Sequence, residues 1–266
     1  METVTCDVRT TMNYVVRGEE AIFYAGDREK SYWPQDPHEV TVHDVRPFIH
    51  DLALEKNGFV VVDEPSGIDD YTDEQQLERY SRDTEALVGR ITGADKVISF
   101  GPVIRTNATG THGHNQPAFG AHVDYGARTV ADYTYDLLPK EEAERRLNGR
   151  HMLINVWRPI VMVESAPFAV ADASTVKRED LFQSEVRGGL GGVSRSLWGF
   201  NLAYQPDHKW YWVPHMQPWE VLVFKLFDSD PDAVQFTAHS AFDDPDTPPD
   251  AEPRQSIELR TIAFLD

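Results

Sequence analysis

The pattern of this sequence predicts a mainly β chain, folded as a barrel or jelly roll with a few flanking helices. Two observations carry that reading. Beyond residue 150, short runs of β-branched and aromatic residues recur between turn residues. Helical periodicity, by contrast, is confined to three stretches, at residues 45–56, 74–91 and about 129–149.

In order, residues 4–11 and 21–24 read as short strands ahead of the turn signals Trp33-Pro34 and Asp36-Pro37. In residues 45–56 the spacing of Val45, Phe48, Ile49, Leu52 and Leu54 predicts a helix stopped by Asn57-Gly58. Phe59-Val60-Val61-Val62 reads as a buried strand. Asp73 opens a helix over 74–91, with Leu77, Tyr80, Ala86, Leu87 and Ile91 on its apolar side and Gly93 beyond its end. Residues 96–105 are strand-like, and 107–120 form a loop rich in Gly, Thr, His and Asn. A helical insertion follows Gly126: Pro139 with Glu141 and Glu142 suits a helix start, Arg145-Arg146 suits its end, and Gly149 stops it. Strands are expected at 151–159, 168–171, 197–204, 210–213, 220–227 and 254–264, with a Gly-rich loop at 188–192.

Charge narrows the partners. With 25 basic and 44 acidic residues the net charge is −19, which argues against a nucleic-acid backbone or an anionic membrane surface as partner and favours a soluble protein. Much of the acid lies in residues 228–252, expected to be a solvated loop. Cys6 is the single cysteine, so no intrachain disulfide can form and a reducing compartment is expected. The first residues lack a basic segment followed by an apolar one, and no run approaches eighteen apolar residues. A cytoplasmic protein is expected; oligomeric state is not legible.

The chemistry centres on Ala121-His122-Val123-Asp124-Tyr125. In an extended strand residues i and i+2 share a face, so the imidazole of His122 and the carboxylate of Asp124 can converge. A His-x-Asp triplet alone is weak, since roughly one is expected by chance in a chain of this composition. His239 is the best later residue to complete the set, and two histidines with one carboxylate form the facial triad of non-haem Fe(II) oxygenases, which leaves positions open for cosubstrate and dioxygen. His112 and His114 mimic the spacing, but their loop lacks strand character and a nearby carboxylate.

The closing strand adds Arg254 and Ser256 on one face. A guanidinium fork and a hydroxyl suit the distal carboxylate of 2-oxoglutarate. Arg260 shares their parity and is the rival anchor; pairing of these arginines with Glu252 or Glu258 at the strand surface is the structural alternative.

Five segments carry a resemblance: Asn155-Val156-Trp157-Arg158-Pro159, Trp210-Tyr211-Trp212-Val213-Pro214, Val221-Leu222-Val223-Phe224-Lys225, His239-Ser240-Ala241-Phe242-Asp243-Asp244-Pro245 and Pro253-Arg254-Gln255-Ser256-Ile257-Glu258-Leu259-Arg260. In order and spacing, over about residues 95–264, the chain resembles the CmcJ/NvfI-type group, also named gibberellin-desaturase-like or AsaB-like, of the Fe(II)/2-oxoglutarate dioxygenases. The resemblance implies a double-stranded β-helix, the cupin-like jelly roll, in one domain over 1–266. Residues 1–94 would supply N-terminal strands and supporting helices, and 95–266 the jelly-roll core with the insertion at about 129–149. It implies His122, Asp124 and His239 as iron ligands and Arg254 with Ser256 as the 2-oxoglutarate site. The cofactors would be Fe(II), 2-oxoglutarate and dioxygen, and the reaction hydroxylation, desaturation or oxidative cyclisation of a small organic molecule in secondary metabolism. Related halogenases replace the carboxylate ligand with a small residue, so Asp124 argues against halogenation. Asn155, Arg158, Tyr211 and Lys225 have no assigned role. The competing readings are a cupin-like metal-dependent hydrolase or isomerase, which would not need Arg254, and a non-catalytic partner subunit. His112, His114, Phe119, Tyr125, Trp198, Phe200 and Trp210 are pocket candidates, although aromatics at strand positions are more often core.

Overall fold

A computed structural model describes residues 5–24, 27–111, 115–188 and 196–265. Its strands are β1 (Val8–Val15), β2 (Ala21–Tyr24), β3 (Asp27–Tyr32), β4 (Gln35–Asp44), β5 (Phe59–Asp63), β6 (Lys96–Thr106), β7 (His122–Val123), β8 (Arg150–Pro159), β9 (Phe168–Ala171), β10 (Leu181–Arg187), β11 (Leu197–Leu202), β12 (Trp210–Trp212), β13 (Glu220–Asp228), β14 (His239–Ala241) and β15 (Gln255–Leu265). They form a ten-stranded sheet ordered β1-β4-β12-β9-β14-β7-β11-β10-β2-β3 and a five-stranded sheet ordered β5-β13-β8-β15-β6. The large sheet is curled, with a bridge between Val15 and Ala203. In its ladder β14 meets β7 through one pair, His239 opposite His122.

The central strands β8 and β13 of the small sheet are buried on both faces, which is why they read as continuous apolar runs. Leu153, Trp157, Leu222, Phe224, Ile262 and Phe264 belong to the main core with residues of the large sheet such as Val123, Ala169 and Val170. The alternate residues Met152, Ile154, Val156, Val221, Val223 and Ala263 pack outward against Leu87 and Val88. Those two lie on α1 (Glu74–Thr92), whose N-terminus is capped by the Asp73 side chain accepting from the Gln76 N–H; Gly93 ends it at φ 73°. Two further helices, α2 (Ala127–Leu137) and α3 (Lys140–Asn148), make up the insertion after Gly126 and are separated by Pro139, which cannot continue the first helix's hydrogen bonding.

Three expectations need correction. The stretch 45–56 is no α-helix: a 3-10 segment, Arg46–Asp51, is broken at Phe48 (φ −133°, ψ 22°), and Leu52 is already extended. Asp36-Pro37 lies inside β4 rather than at a turn. Pro37 opposes Asn13 of β1, and β12 pairs only with residues 42–44 of β4, so the missing N–H interrupts no ladder. Asp228 is a buried ion-pair partner of Arg150 and Lys225 rather than part of a solvated loop. His112, His114 and most of the Gly-rich loop lie outside the described residues.

Candidate active site

Strand β7 is two residues long, and Asp124 lies just past it, before Tyr125 in the left-handed region at φ 60°. The backbone stays extended far enough for the two side chains to meet: His122 Nε2 is 3.6 Å from Asp124 Oδ1. Across the β7–β14 pair, His239 Nε2 lies 3.9 Å from Asp124 Oδ2, and the two imidazole centres are 4.3 Å apart. One ligand atom from each of His122, Asp124 and His239 falls within 4.8 Å of the others, a grouping that could hold a metal ion.

Each imidazole is oriented the same way. His122 Nδ1 is 2.6 Å from the Gly120 carbonyl and His239 Nδ1 3.2 Å from that of Thr237, two residues earlier in each case. Donation from Nδ1 leaves Nε2 unprotonated and aimed inward, the arrangement that metal-binding histidines use. His239 Nε2 is buried without a hydrogen-bond partner among the described residues. Burial, with the neighbouring His122, brings the His239 pKa down to about 3 against the opposing pull of Asp124, so its lone pair is available at neutral pH. Burial would raise the Asp124 pKa, but Arg260 foremost, then His122 and His239, hold it well below the ordinary carboxylate range. The aryl rings of Phe224 and Phe168 stand 4.9 and 5.6 Å from the His239 ring and form a dry wall.

The second half of the site comes from the small sheet. Ser256, Glu258 and Arg260 alternate on the inner face of β15, while Ile257 and Leu259 pack outward on Tyr71 and Tyr80. This strand therefore turns its polar residues inward. Arg260 reaches across to Asp124 Oδ2 and bonds Glu258 at 2.6 Å. Glu258 also accepts from Arg105 at 2.9 Å. Burial pushes the Glu258 carboxyl up, but Arg105 and Arg260 hold it below its usual range. A bulge in β6 opposite Glu258 and Arg260 places Gly101 at φ 57°.

Arg254 is 1% exposed and is not paired with Glu252 or Glu258 at the surface; its Nη1 donates to the Ala166 carbonyl at 2.7 Å, and its guanidinium lies 5.6 Å from the Trp157 ring centre. Burial and Arg105 pull its pKa down to about 9, opposed by Glu258, so it stays charged at neutral pH. Arg254 Nε and Ser256 Oγ are buried and have no hydrogen-bond partner among the described residues. Buried polar atoms without partners are costly, and a pair of donors left open in this way fits an anionic ligand.

Arg105 and Asn201 carry no signal in the sequence, and Glu258, expected only as a surface partner, pairs with Arg260 in the interior. Asn201 sits opposite His122 on β11 with a buried, unpartnered amide nitrogen. The inverted parity of β15 was the available signal for Glu258. Of the pocket candidates, Trp210 is core, donating to the Tyr14 hydroxyl at 2.7 Å, and Tyr125 lies under Arg260, whose guanidinium is 5.1 Å from its ring centre. Arg158 donates to the Pro218 carbonyl and lies by Tyr80, fixing a corner. Lys225 is buried between Glu55 and Asp228.

Comparison with known proteins agrees with this geometry. A family profile described as an oxidoreductase/YMDC permease-like domain matches residues 11–264. The chain is 32% identical over 241 residues to the Fe(II)/2-oxoglutarate-dependent dioxygenase nvfI of Aspergillus novofumigatus, covering 86% of this chain and 84% of that protein. It is 30% identical over 248 residues to the hydroxylase/desaturase CTB9 of Cercospora beticola, covering 85% and 76%. A solved structure of the iron and alpha-ketoglutarate-dependent endoperoxidase NvfI superposes with a TM-score of 0.88 at 29% identity, covering 99% of each chain. A double-stranded β-helix, a His-Asp-His grouping inside it and relatives of this similarity together establish that the chain belongs to the family of Fe(II)/2-oxoglutarate-dependent dioxygenases that includes NvfI.

Proposed function

We propose that His122, Asp124 and His239 hold Fe(II), and that Arg254 with Ser256 binds the distal carboxylate of 2-oxoglutarate, in one oxygenase domain spanning residues 1–266. The observation that carries this reading is the pairing of two sets of buried, unsatisfied atoms. His239 Nε2 faces its two partner groups, and Arg254 Nε and Ser256 Oγ stand unpaired on the opposite sheet. The donor set of two imidazoles and one carboxylate suits iron in the facial arrangement.

When bound, iron, 2-oxoglutarate and dioxygen supply the oxidising power, and the keto acid is decarboxylated to succinate. The chain's own residues do the rest. The Gly120 and Thr237 carbonyls hold both imidazoles in one tautomer. Arg260 fixes the carboxylate of Asp124, and the buried charge of Arg254 favours a dicarboxylate over a neutral ligand. Phe168, Phe224 and Trp157 keep bulk water away, which limits oxidation without substrate. The printed names of the relatives include hydroxylase/desaturase and endoperoxidase. The substrate of this chain is accordingly a small organic molecule of secondary metabolism that is hydroxylated, desaturated or oxidatively cyclised.

The net charge of −19 weighs against nucleic acid and anionic membranes as partners. Among the described residues no helix is long and apolar enough to cross a membrane. A cytoplasmic location agrees with the single cysteine. The decisive experiment is anaerobic addition of Fe(II) and then 2-oxoglutarate to metal-free protein. A weak visible metal-to-ligand charge-transfer band is expected, and it should be lost in Asp124→Ala or His239→Ala. Metal uptake with no band would favour the cupin-like hydrolase or isomerase.

A further inference from the structure

Asn155 is 0% exposed, yet neither its amide nitrogen nor its amide oxygen has a hydrogen-bond partner among the described residues. A carboxamide has two donors and an acceptor, so leaving all of it unsatisfied inside a core is among the more costly arrangements a β-strand can adopt. Leucine would fill a similar volume without that cost. An orphan amide in such a place is waiting for a polar group that the described residues do not supply.

Its position says which group. Asn155 lies on β8 between Phe224 of β13 and Arg260 of β15. Its inward parity is that of Leu153 and Trp157, both in the main core. Arg260 is the residue whose guanidinium reaches Asp124, and Phe224 is the residue whose ring stands beside His239. Asn155 is thus level with the metal-binding triad. Along the same face, Trp157 opposes Glu258 and Pro159 opposes Ser256. A keto acid running from the triad to Arg254 and Ser256 would cross Trp157, with Asn155 at its metal end.

We propose that Asn155 is a cosubstrate-binding residue whose amide hydrogen-bonds the metal-bound carboxylate end of 2-oxoglutarate. This rests on the oxygenase reading of the site given above. It assigns the two ends of the keto acid to different residues: Asn155 reads the end that any 2-oxo acid or oxalate shares, and Arg254 with Ser256 reads the carboxylate that only a dicarboxylic keto acid carries.

The test is anaerobic calorimetric titration of the Fe(II)-loaded protein with 2-oxoglutarate and, separately, with oxalate, which can occupy the metal end alone. Asn155→Ala and Asn155→Leu should weaken both ligands by the same factor, roughly 10- to 100-fold as expected for a hydrogen bond to a charged group, while Fe(II) affinity stays within about twofold. Arg254→Ala should weaken 2-oxoglutarate and spare oxalate. The metal-free Asn155→Leu protein should melt no lower than the parent, because the substitution removes an unsatisfied group. Unchanged affinity for both ligands overturns the proposal, as does a loss confined to 2-oxoglutarate, which would put the amide at the distal end. A lowered melting temperature with unchanged ligand affinity would show a purely structural amide and also overturns it. In these three cases the parent still binds keto acid and the oxygenase reading stands; if the parent takes up Fe(II) but neither ligand, that reading itself fails and this proposal with it.

Discussion

Arg260 directs two nitrogens, Nε at 3.3 Å and Nη2 at 3.1 Å, at the same oxygen of Asp124, Oδ2, while the other oxygen, Oδ1, faces His122 Nε2. A carboxylate held this way is disposed to offer a metal one oxygen, which keeps a further coordination position open. Arg260→Met should therefore weaken Fe(II) binding by about 10- to 100-fold, the usual cost of losing a group that orients a ligand. Arg260→Lys should recover part of it. Competition against a chromophoric chelator measures both; unchanged affinity would show that Asp124 does not depend on Arg260.

Arg254 is a buried cation with a nitrogen left open among the described residues, so Arg254→Ala should raise the 2-oxoglutarate requirement by about 10- to 150-fold, the range for a charge-assisted bond. Steady-state titration of the cosubstrate reads this directly. If the dependence is unchanged, the anchoring role passes to Arg260 or elsewhere.

His239→Ala should abolish iron-dependent turnover and leave the circular dichroism spectrum intact, since the lost Nε2 has no hydrogen-bond partner among the described residues. Full activity in this variant would show that the third ligand is wrongly assigned.

Leu87, on the inner side of α1, is 4% exposed and packs on the outer face of the small sheet. Leu87→Ala should lower stability by about 2–4 kcal/mol through lost burial and a residual cavity. Because this contact is on the face away from the site, Fe(II) affinity should not move. Urea unfolding and metal titration of the same preparation test the separation.

Acid should destabilise the metal-free protein through its buried histidines. His239 has a pKa of about 3 when folded and near 6.5 when unfolded. Unfolding therefore takes up a proton between those values, and stability falls as pH drops below about 6.5, by up to roughly 1.4 kcal/mol per pH unit. His208, whose pKa burial lowers despite Asp180, acts in the same direction. The urea midpoint should fall from pH 7 to pH 5, and less steeply in His239→Gln. A flat profile would contradict the neutral, buried state of His239.

The strands most legible in the sequence are those buried on both faces, β8 and β13, because apolar β-branched runs have few other uses. Helix α1 is legible from its caps. Strand β3, Asp-Arg-Glu-Lys-Ser-Tyr, is hidden because it is an edge strand rich in charge. The stretch 45–56 misleads because Phe48, Ile49 and Leu52 pack on the main core from a broken 3-10 turn, so tertiary contacts set the spacing that resembles a helix. At the site, the triad is readable from residue type and from the i, i+2 rule. The Glu258 bridge between Arg105 and Arg260 is not, since it depends on which strands are neighbours.

The lone His239–His122 pair between β14 and β7 gives an ion there a mechanical role. Five strands of the large sheet lie on each side of that junction, and both imidazoles project from it. A metal gripped by the two rings would rivet the half-sheets together, and its release would loosen the junction first. Amide exchange along β7 and β14 would then report iron loading without any turnover at all.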